Sequence, residues 1–328
     1  MKALVYTGPD QMEIRDVPEP VASDGQCIVD VAYCGICGSD MHAYHGHDSR
    51  RVPPLVLGHE AVGVVQTGQY SGKRVAINPL MTCGSCDACM SGRMHLCSNR
   101  EPIGMRMPGA FAERVLIREQ NLIVLPDKLS FKHAVLAEPM ACAVHAVAIG
   151  FSRLARPREE TKVVILGGGA IGLLSALVFR EKGIGRLLIA ETNEKRRHVL
   201  EQSVDAETYN PLKDNPDTAG ADIILDSVGS GATRYTASQL VAPGGTIVHI
   251  GLQDNEPGLD TRRLTLQEIA FFGAYCYTNE DFLEALSLLH GGLADKGEWT
   301  EMRSLSDGAQ AFRDIQNGNA LPKIYLTI

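Results

Sequence analysis

Four cysteines stand within fifteen residues of this chain, and they constrain its fold more than any other feature. They are Cys83, Cys86, Cys89 and Cys97, separated by two, two and seven residues. Four thiolates this close can surround one tetrahedral Zn²⁺ and leave no position open, as in a structural site. Two disulfides are the alternative, but nothing else in the sequence indicates an oxidising compartment. The spacing therefore predicts a zinc-stabilised lobe that performs no chemistry itself.

A second group of metal-binding residue types lies before and after this lobe. Cys37 is found in C-G-I-C-G-S-D, and His59 and Glu60 follow Gly58 directly. A catalytic metal site takes three protein ligands and keeps one position for water or substrate. The third ligand could be Glu60 or Glu138, which precedes a proline. Spacing alone does not single out this set, because a histidine beside a glutamate after an apolar run is often a packed pair.

A glycine-rich segment predicts a dinucleotide-binding loop. The apolar run 163–166 leads directly into Gly167-Gly168-Gly169-Ala170-Ile171-Gly172, and an apolar helical stretch, 173–179, follows. Glu191 comes nineteen residues after the last glycine, at the end of a second apolar run. The glycines allow a tight turn close to a pyrophosphate, the helix N-terminus attracts its charge, and the acid accepts hydrogen bonds from the adenosine ribose. A glycine-rich turn without a ligand is the alternative.

Composition excludes several classes of function. The 328 residues are enough for two domains with sizeable cores. The net charge of −8, from 31 basic and 39 acidic residues, argues against a nucleic-acid surface. No apolar run is as long as a membrane span, and the N-terminus is typical of a strand instead of a signal peptide. With five of nine cysteines assigned to zinc, we expect a cytoplasmic protein.

The chain has two regions that differ in their pattern of predicted secondary structure. Residues 1 to about 140 alternate short strands with glycine and proline turns, which is typical of a β-rich domain. From about residue 162 strands alternate with helices, which predicts a doubly wound parallel sheet and thus an α/β protein. The expected strands of that sheet are 162–166, 186–190, 222–226 and 246–250. Gly229 and Gly251 follow two of these strands, where a cofactor would pass, although ordinary turns would also explain them.

In combination these segments resemble the zinc-dependent medium-chain dehydrogenases, the superfamily of alcohol, polyol and threonine dehydrogenases. The motifs that carry the resemblance occur in the family's order along the whole chain: Cys37–His42, Gly58–Glu60, Cys83–Cys97, Glu138-Pro139 and Gly167–Gly172. The resemblance implies a GroES-like catalytic domain made of residues 1–140 and 276–328. It also implies a Rossmann domain at residues 141–275, with NAD as cofactor and two zinc ions per chain.

Roles for individual residues also follow from the resemblance. Cys37 and His59 are expected to bind the catalytic zinc, with Glu60 or Glu138 completing the set and the other acid binding through water. Asp40 would fix the tautomer of His59, although a turn-forming aspartate would also explain it.

Ser39 and His42 match the proton-relay positions, although helix capping or packing would also explain them. Arg196 matches a position that often contacts the adenosine.

The substrate is less defined than the reaction. Glu138-Pro139 is typical of the polyol branch, yet Ala43 and the stretch Tyr275-Cys276-Tyr277 stand where a sorbitol dehydrogenase has polar anchors. We expect oxidation of a secondary alcohol or polyol by NAD in a homo-oligomer, a dimer or tetramer. A threonine-type dehydrogenase and a non-catalytic zinc- and nucleotide-binding sensor are the alternatives. The aromatic candidates for the pocket, each equally compatible with the core, are Tyr44, Phe111, Tyr275 and Tyr277.

Overall fold

The computed structural model describes residues 1–328, and the chain divides into two compact units. The first unit comprises Met1–Pro139, Thr278–Gly292 and Thr300–Ile328. The second comprises Met140–Tyr277 and Leu293–Trp299. None of the helices combines the length and the apolar composition that a membrane span requires.

Sixteen strands form the sheets of the two units. In chain order they are β1 (Lys2–Gly8), β2 (Gln11–Asp16), β3 (Gln26–Gly35), β4 (Leu55–Val56), β5 (Glu60–Val65), β6 (Arg74–Ile77), β7 (Arg114–Arg118), β8 (Leu122–Val124), β9 (Lys162–Leu166), β10 (Arg186–Ala190), β11 (Glu207–Tyr209), β12 (Ala221–Asp226), β13 (Val241–His249), β14 (Ala270–Gly273), β15 (Thr300–Ser304) and β16 (Lys323–Thr327).

Ten α-helices connect or cover these strands. They are α1 (Gly38–Tyr44), α2 (Asp87–Met90), α3 (Phe131–Ala134), α4 (Ala137–Phe151), α5 (Ala170–Glu181), α6 (Glu194–Ser203), α7 (Gly231–Leu240), α8 (Thr261–Leu266), α9 (Asn279–His290) and α10 (Gly308–Gln316). Short 3₁₀ turns occur at Met94–Leu96, Glu119–Asn121, Arg158–Glu160 and Leu305–Asp307.

The first unit is β-rich, as its alternating short strands predict. One sheet has three strands in the order β2-β1-β4, and another has the path β15-β16-β3-β5-β6-β8, with β7 pairing with β3. Apolar side chains from both ends of the chain share one core, in which Leu4, Phe111 and Leu326 are fully buried. The C-terminal strand β16 pairs with β3, so the end of the chain lies beside the segment that leads into Cys37.

The second unit contains the parallel sheet predicted from the sequence. Its order is β11-β10-β9-β12-β13-β14, and every neighbouring pair is parallel. The strands β9, β10 and β12 are almost entirely buried, as expected of strands covered on both faces. The order reverses between β9 and β12, and ligands of doubly wound sheets bind at this reversal. The predicted α/β fold class is confirmed.

One part of the predicted domain division differs from the structure. Residues 293–299 lie in the second unit, whereas the sequence assigned the whole tail from 276 to the first domain. Trp299 is 1% exposed, and Gly297 lies so close to Ser203 that a Cβ there would be 2.1 Å from the Ser203 Oγ. The short segment therefore approaches the second unit closely at Gly297, where a side chain would not fit beside Ser203.

Candidate metal centres and cofactor loop

The four-cysteine lobe has the dimensions of a closed zinc site. Cys86 caps the short helix α2, which contains Cys89, and Cys97 follows a 3₁₀ turn. The Sγ atoms of Cys83 and Cys89 are 3.9 Å apart, those of Cys86 and Cys89 3.6 Å, and those of Cys83 and Cys97 3.5 Å. A tetrahedron with Zn–S distances of about 2.3 Å has edges of roughly 3.8 Å. The four thiols therefore fit one Zn²⁺.

The same thiols do not form disulfides. All four cysteines are free, and their Sγ separations far exceed the S–S bond length of about 2.05 Å. Backbone N–H groups of Ser85 and Cys86 lower the pKa of Cys83 to about 6. Burial, followed by the neighbouring thiol of Cys86, raises the pKa of Cys89 to about 11. A divalent cation would relieve this crowding of anions, so the donor set favours zinc.

Strand pairing creates the second cluster. Cys37 follows β3 and caps α1, while Glu60 begins β5, and the antiparallel register of these strands pairs Gly35 with Glu60. The candidate ligand atoms of Cys37, His59 and Glu60 all lie within 4.8 Å of one another. A Cβ at Gly35 would be 1.9 Å from the Glu60 Oε2, so glycine leaves the space that the carboxylate fills. The register thus joins two motifs that are separate in sequence.

The second cluster is buried and rich in negative charge. Glu60 is 1% exposed, and its Oε1 has no hydrogen-bond partner. Asp40 is fully buried, accepts a hydrogen bond from the Cys37 backbone N–H at 3.0 Å, and has Oδ1 3.5 Å from the Nδ1 of His59. Burial alone would lower the pKa of His59, but Asp40 and Cys37 outweigh it and raise that pKa well above the usual value. Surroundings that favour a proton on His59 also favour a metal cation.

Glu138 lies close to this cluster without belonging to its tightest group. It occupies the first turn of α4 and is 7% exposed. Its carboxylate is not among the ligand atoms that lie within 4.8 Å of one another. Its charge nevertheless contributes to the raised pKa of Lys323, which pairs with Glu60. Of the two acids that the sequence left open, Glu60 is therefore the better placed for direct binding.

Lys323 is a component of the cluster that the sequence analysis missed. It begins β16, is 2% exposed, forms an ion pair with Glu60, and donates a hydrogen bond to the Ile36 carbonyl at 2.8 Å. Burial lowers the pKa of Lys323, but the charges of Glu60, Cys37 and Glu138 outweigh it and raise the pKa above its usual value. The only sequence signal was a lysine at the start of an apolar strand, far from every motif.

The predicted relay residues share the helix that follows Cys37. Ser39 and His42 both lie on α1, three residues apart, which places them on neighbouring positions of one helix face. Burial, and then the charge of His47, lower the pKa of His42 from its usual value. Both side chains are half-buried, so they remain within reach of solvent.

Arg51 was also missed, and it contacts the same helix. The residue is 3% exposed, and its guanidinium donates to the Ser39 carbonyl at 3.0 Å and to the Ser39 Oγ at 3.2 Å. No sequence signal pointed to it, because Arg50 and Arg51 stand together in a polar loop.

The glycine-rich loop has the geometry that its motif predicts. Gly167 has φ of +100°, and a Cβ at Gly172 would be 1.9 Å from the Gly167 carbonyl oxygen. Gly169 caps α5, and a Cβ there would meet nothing within 4 Å, so space remains above the helix N-terminus. The loop fits a pyrophosphate beside the first turn of α5. Ala170 and Ile171 provide the first residues of that turn.

Glu191 lies where the motif requires it, but it also supports the loop. Its Oε2 accepts a hydrogen bond from the Gly168 N–H at 2.9 Å, and its Oε1 accepts one from the Asn193 N–H at 2.8 Å. Arg196 has Nη1 3.9 Å from the Glu191 Oε2, and its buried Nε has no partner. An acid and an arginine therefore stand together at the end of β10, where the adenosine ribose is expected.

Backbone packing by itself accounts for glycine at positions 229 and 251. Gly229 has φ of +76°, and a Cβ there would be 2.1 Å from the Gly251 carbonyl carbon, so the two backbones touch. Asp226, fully buried at the end of β12, accepts hydrogen bonds from the N–H groups of Val228 and Gly229 at 3.1 and 2.9 Å. This close packing explains both glycines, and their contact with a cofactor stays a prediction.

Three of the four aromatic residues considered for a pocket are buried, and two of them lie in the core of the first unit. Tyr44 is 2% and Phe111 0% exposed, and both pack against Phe312. Tyr277 is also buried, at 1%. Of the two alternatives that the sequence left open for Tyr44 and Phe111, the structure favours the core, because these rings fill the interior of the first unit.

Family models match most of the chain. The model described as alcohol dehydrogenase GroES-like domain matches residues 23–127. The model described as zinc-binding dehydrogenase matches residues 170–291. Together they include the segments that contain Cys37, His59 and Glu60, the four-cysteine lobe, and the glycines after residue 169.

Individual proteins match over nearly the full length. A 2-dehydro-3-deoxy-L-galactonate 5-dehydrogenase from Pseudoalteromonas atlantica is 32% identical, covering 97% of this chain and 96% of its own. A D-arabitol-phosphate dehydrogenase from Enterococcus avium is 30% identical, covering 96% and 93%. The crystal structure of an E. coli CFT073 protein described as short chain alcohol dehydrogenase (rspB), complexed with NADH, superposes with a TM-score of 0.90 at 25% identity, covering 100% and 99% of the two chains.

Proposed function

The chain belongs to the zinc-dependent medium-chain dehydrogenases, and we propose that it transfers hydride from a secondary alcohol or polyol to NAD, giving a ketone or ketose. The relatives that match this chain over nearly their whole length are dehydrogenases. The expected enzyme activity is therefore confirmed, and the non-catalytic sensor is not supported. Two of those relatives are named for sugar-derived substrates, which supports a polyol over a simple alcohol for this chain.

One observation carries this proposal. Cys37, His59 and Glu60 converge to within 4.8 Å in a buried cluster where the Glu60 Oε1 lacks a partner. Zinc bound there would polarise the substrate hydroxyl and lower its pKa, and bound NAD would accept the hydride. The three side chains supply the thiolate, imidazole and carboxylate that hold such an ion, and Glu138 lies nearby as a further acid. Asp40 beside the His59 Nδ1 would leave the Nε2 available to bind such an ion.

The proton that leaves the substrate hydroxyl needs a route to solvent. Ser39 and His42 provide two exchangeable groups on one face of α1, and both are half-buried. Ser39 would accept the proton while passing its own to His42. Because burial lowers the pKa of His42, this imidazole is mostly neutral near pH 7 and able to accept.

The experiment is a measurement of NAD reduction by the zinc-loaded protein with polyols, sugar acids, sugar-alcohol phosphates, simple secondary alcohols and threonine. The proposal expects turnover with at least one polyol-type substrate and none in Cys37→Ser. Turnover with threonine alone would replace it with the amino-alcohol alternative, and no turnover with two bound zinc ions would reject it.

Preference for NAD over NADP is part of the proposal and rests on Glu191. A carboxylate at this position accepts hydrogen bonds from the ribose hydroxyls and repels the additional phosphate of NADP. Since Glu191 also supports Gly168, its loss would weaken binding of both cofactors, and only their ratio is informative. The ratio of kcat/KM for NAD to that for NADP should fall in Glu191→Gln and Glu191→Ser. An unchanged ratio, or a wild-type preference for NADP, would remove Glu191 as the selector.

We also propose a cytoplasmic homo-oligomer, a dimer or tetramer, that acts on small molecules and not on nucleic acid. The acidic net charge of −8 supports the last point. Size-exclusion chromatography with light scattering would measure the assembly, and a monomer at micromolar concentration would contradict it.

A further inference from the structure

Arg51 is a buried arginine that belongs to no motif, and its guanidinium forms hydrogen bonds with both the backbone and the side chain of Ser39. Its Nη1 donates to the Ser39 carbonyl at 3.0 Å and to the Asp48 Oδ2 at 2.8 Å, and its Nε donates to the Gly104 carbonyl at 2.9 Å. Its Nη2 donates to the Ser39 Oγ at 3.2 Å. Three of these bonds hold backbone or loop in place. The fourth gives a buried N–H of Arg51 its acceptor, and that acceptor is the hydroxyl proposed to carry the proton.

We propose that Arg51 is a positioning residue that orders the hydroxyl of Ser39 for proton transfer, an inference that rests on the proposed function. A serine hydroxyl has one hydrogen to donate and two lone pairs that accept, and its hydrogen normally rotates to suit its neighbours. A guanidinium has donors only. The Ser39 hydrogen therefore cannot point toward Arg51, and it remains available on the opposite side of the oxygen.

This restriction suits a relay. To pass a proton, Ser39 must accept one hydrogen bond from the substrate hydroxyl and donate its own hydrogen onward in the same arrangement. With one lone pair occupied by Arg51, one lone pair and one hydrogen are left, which are the two groups that the transfer uses. Without the bond from Arg51, the Ser39 oxygen would spend part of its time in other χ1 rotamers and its hydrogen in other orientations. Proton transfer is sensitive to such small misplacements.

The planar fork of arginine is essential to this arrangement. One guanidinium reaches the carbonyl and the hydroxyl of the same serine from adjacent nitrogens, so backbone and side chain are fixed together. Lysine is a single point charge with a flexible stem and cannot reproduce both bonds at once. Arg51→Lys therefore tests the fork while keeping the positive charge beside Asp48.

Arg51 also lies near the metal cluster, and the experiment must separate the two routes. Its Nη2 is 3.9 Å from the Asp40 Oδ1, and Asp40 contacts His59. If Arg51 acted through Asp40, its loss would weaken zinc binding. If it acts through Ser39, zinc content and zinc affinity stay at the wild-type level.

The test is a double-mutant cycle in the zinc-loaded enzyme, with Arg51→Met, Arg51→Lys, Ser39→Ala and each Arg51 variant combined with Ser39→Ala. We expect each Arg51 variant to lower kcat about tenfold or more while the KM for NAD stays unchanged. In the Ser39→Ala background the same substitutions should lower kcat less than about twofold, because the group they order is gone. The solvent deuterium isotope effect on kcat should rise in the single Arg51 variants.

Arg74→Met is the matched control, since Arg74 also donates to two backbone carbonyls in the first unit, those of Asp127 and Leu129. It should leave kcat and the isotope effect unchanged. Equal losses from Arg51→Met with and without Ser39, or a loss accompanied by release of zinc, would overturn the proposal.

A second readout does not depend on turnover. In crystal structures of zinc-loaded Arg51→Lys and Arg51→Met, the Ser39 Oγ should occupy more than one χ1 rotamer, whereas the wild type should show the single one that Arg51 holds. A single unchanged rotamer in both variants would overturn the inference even if the enzyme proves active. Absence of any activity in the wild type would reject the proposed function, and the rotamers would still report whether Arg51 orders Ser39.

Discussion

The four-cysteine lobe takes all its ligands from fifteen consecutive residues, whereas the buried cluster takes its components from separate regions of the chain. In the lobe, Cys83 is exposed, and short turns bring the thiols together. In the buried cluster, Cys37 follows β3, Glu60 begins β5, and the Lys323 ammonium bonds to a carbonyl 287 residues away. The first arrangement is formed by short turns between neighbouring residues, and the second by the register of paired strands.

The two sites also differ in the charges that surround them. The lobe offers four cysteines, and the negative charge of their thiolates is compensated only when a cation binds. The buried cluster already contains positively charged side chains, because Lys323 pairs with Glu60 and Arg51 lies near Asp40. A buried charge is costly unless it is paired, so the cluster can stay folded without its metal while the lobe depends on it. Removal of single groups from each site tests this difference.

The largest effect is expected from Cys37→Ser. Loss of one ligand of the buried cluster should abolish activity and reduce the zinc content from two ions per chain to one, with the lobe zinc retained. The circular dichroism spectrum should match that of the wild type, because strand register and core do not depend on this thiol. Unfolding of the variant would show that the cluster, like the lobe, needs its metal to fold.

Lys323→Met should destabilise the metal-free protein by about 3–5 kcal/mol, since it leaves Glu60 buried without its partner. The loss should be smaller in the zinc-loaded protein, where the metal supplies the missing positive charge. Denaturant unfolding with zinc and with a chelator measures both values. Lys2→Met is the control, because Lys2 pairs with Asp16 on the surface and should cost at most about 1 kcal/mol. Equal losses with and without zinc would contradict charge compensation.

Asp40→Asn should weaken zinc binding by the buried cluster about 10- to 100-fold. The oxygen of the introduced amide can still accept from the Cys37 N–H, which turns the amide N–H₂ toward His59. A donor there conflicts with the hydrogen on the His59 Nδ1 and favours the tautomer that cannot bind through Nε2.

Competition with a chromophoric chelator measures the affinity, and Asp16→Asn on the surface is the control. If the Asp40 variant binds both zinc ions as tightly as the wild type, Asp40 does not orient the ligand.

The smallest effect on catalysis is expected from Cys89→Ser. It should release the lobe zinc and increase hydrogen exchange at residues 80–100, because structural zinc contributes its binding energy to local folding. Activity should fall only modestly, since no lobe thiol is part of the buried cluster. Cys142→Ser, outside both clusters, is the control. Two zinc ions remaining in Cys89→Ser would contradict the assignment of the lobe.

Much of the fold was accessible from the sequence because its signals are local. The strands expected at 162–166 and 186–190 match β9 and β10, since continuous apolar runs bounded by glycine or polar residues identify buried parallel strands. The spacing of the four cysteines and of the glycines after β9 likewise depends on turns within a few residues. Boundaries were less accurate where neighbouring strands extend an element, as in β13, which begins at Val241.

Residues that act through tertiary contacts left no such signal. Arg51 stands in a polar loop and Lys323 begins an apolar strand, and neither belongs to a motif. The return of residues 293–299 to the second unit depends on the fit of Gly297 against Ser203, which no local pattern encodes. The choice between pocket and core for Tyr44 and Phe111 stayed open in the sequence for the same reason, since packing decides whether an aromatic ring is core or surface.

The donor types and the local geometry can be deduced from neighbouring residues: a four-thiol lobe, a glycine turn before a helix, and a Cys, a His and two acids with the chemistry of a catalytic metal site. Which of these groups meet depends on strand pairing. The pairing of Gly35 with Glu60 brings Cys37 to His59, and the pairing of β16 with β3 places Lys323 beside Glu60. Short-range turns are encoded in neighbouring residues, whereas strand register is fixed by the packing of the whole core.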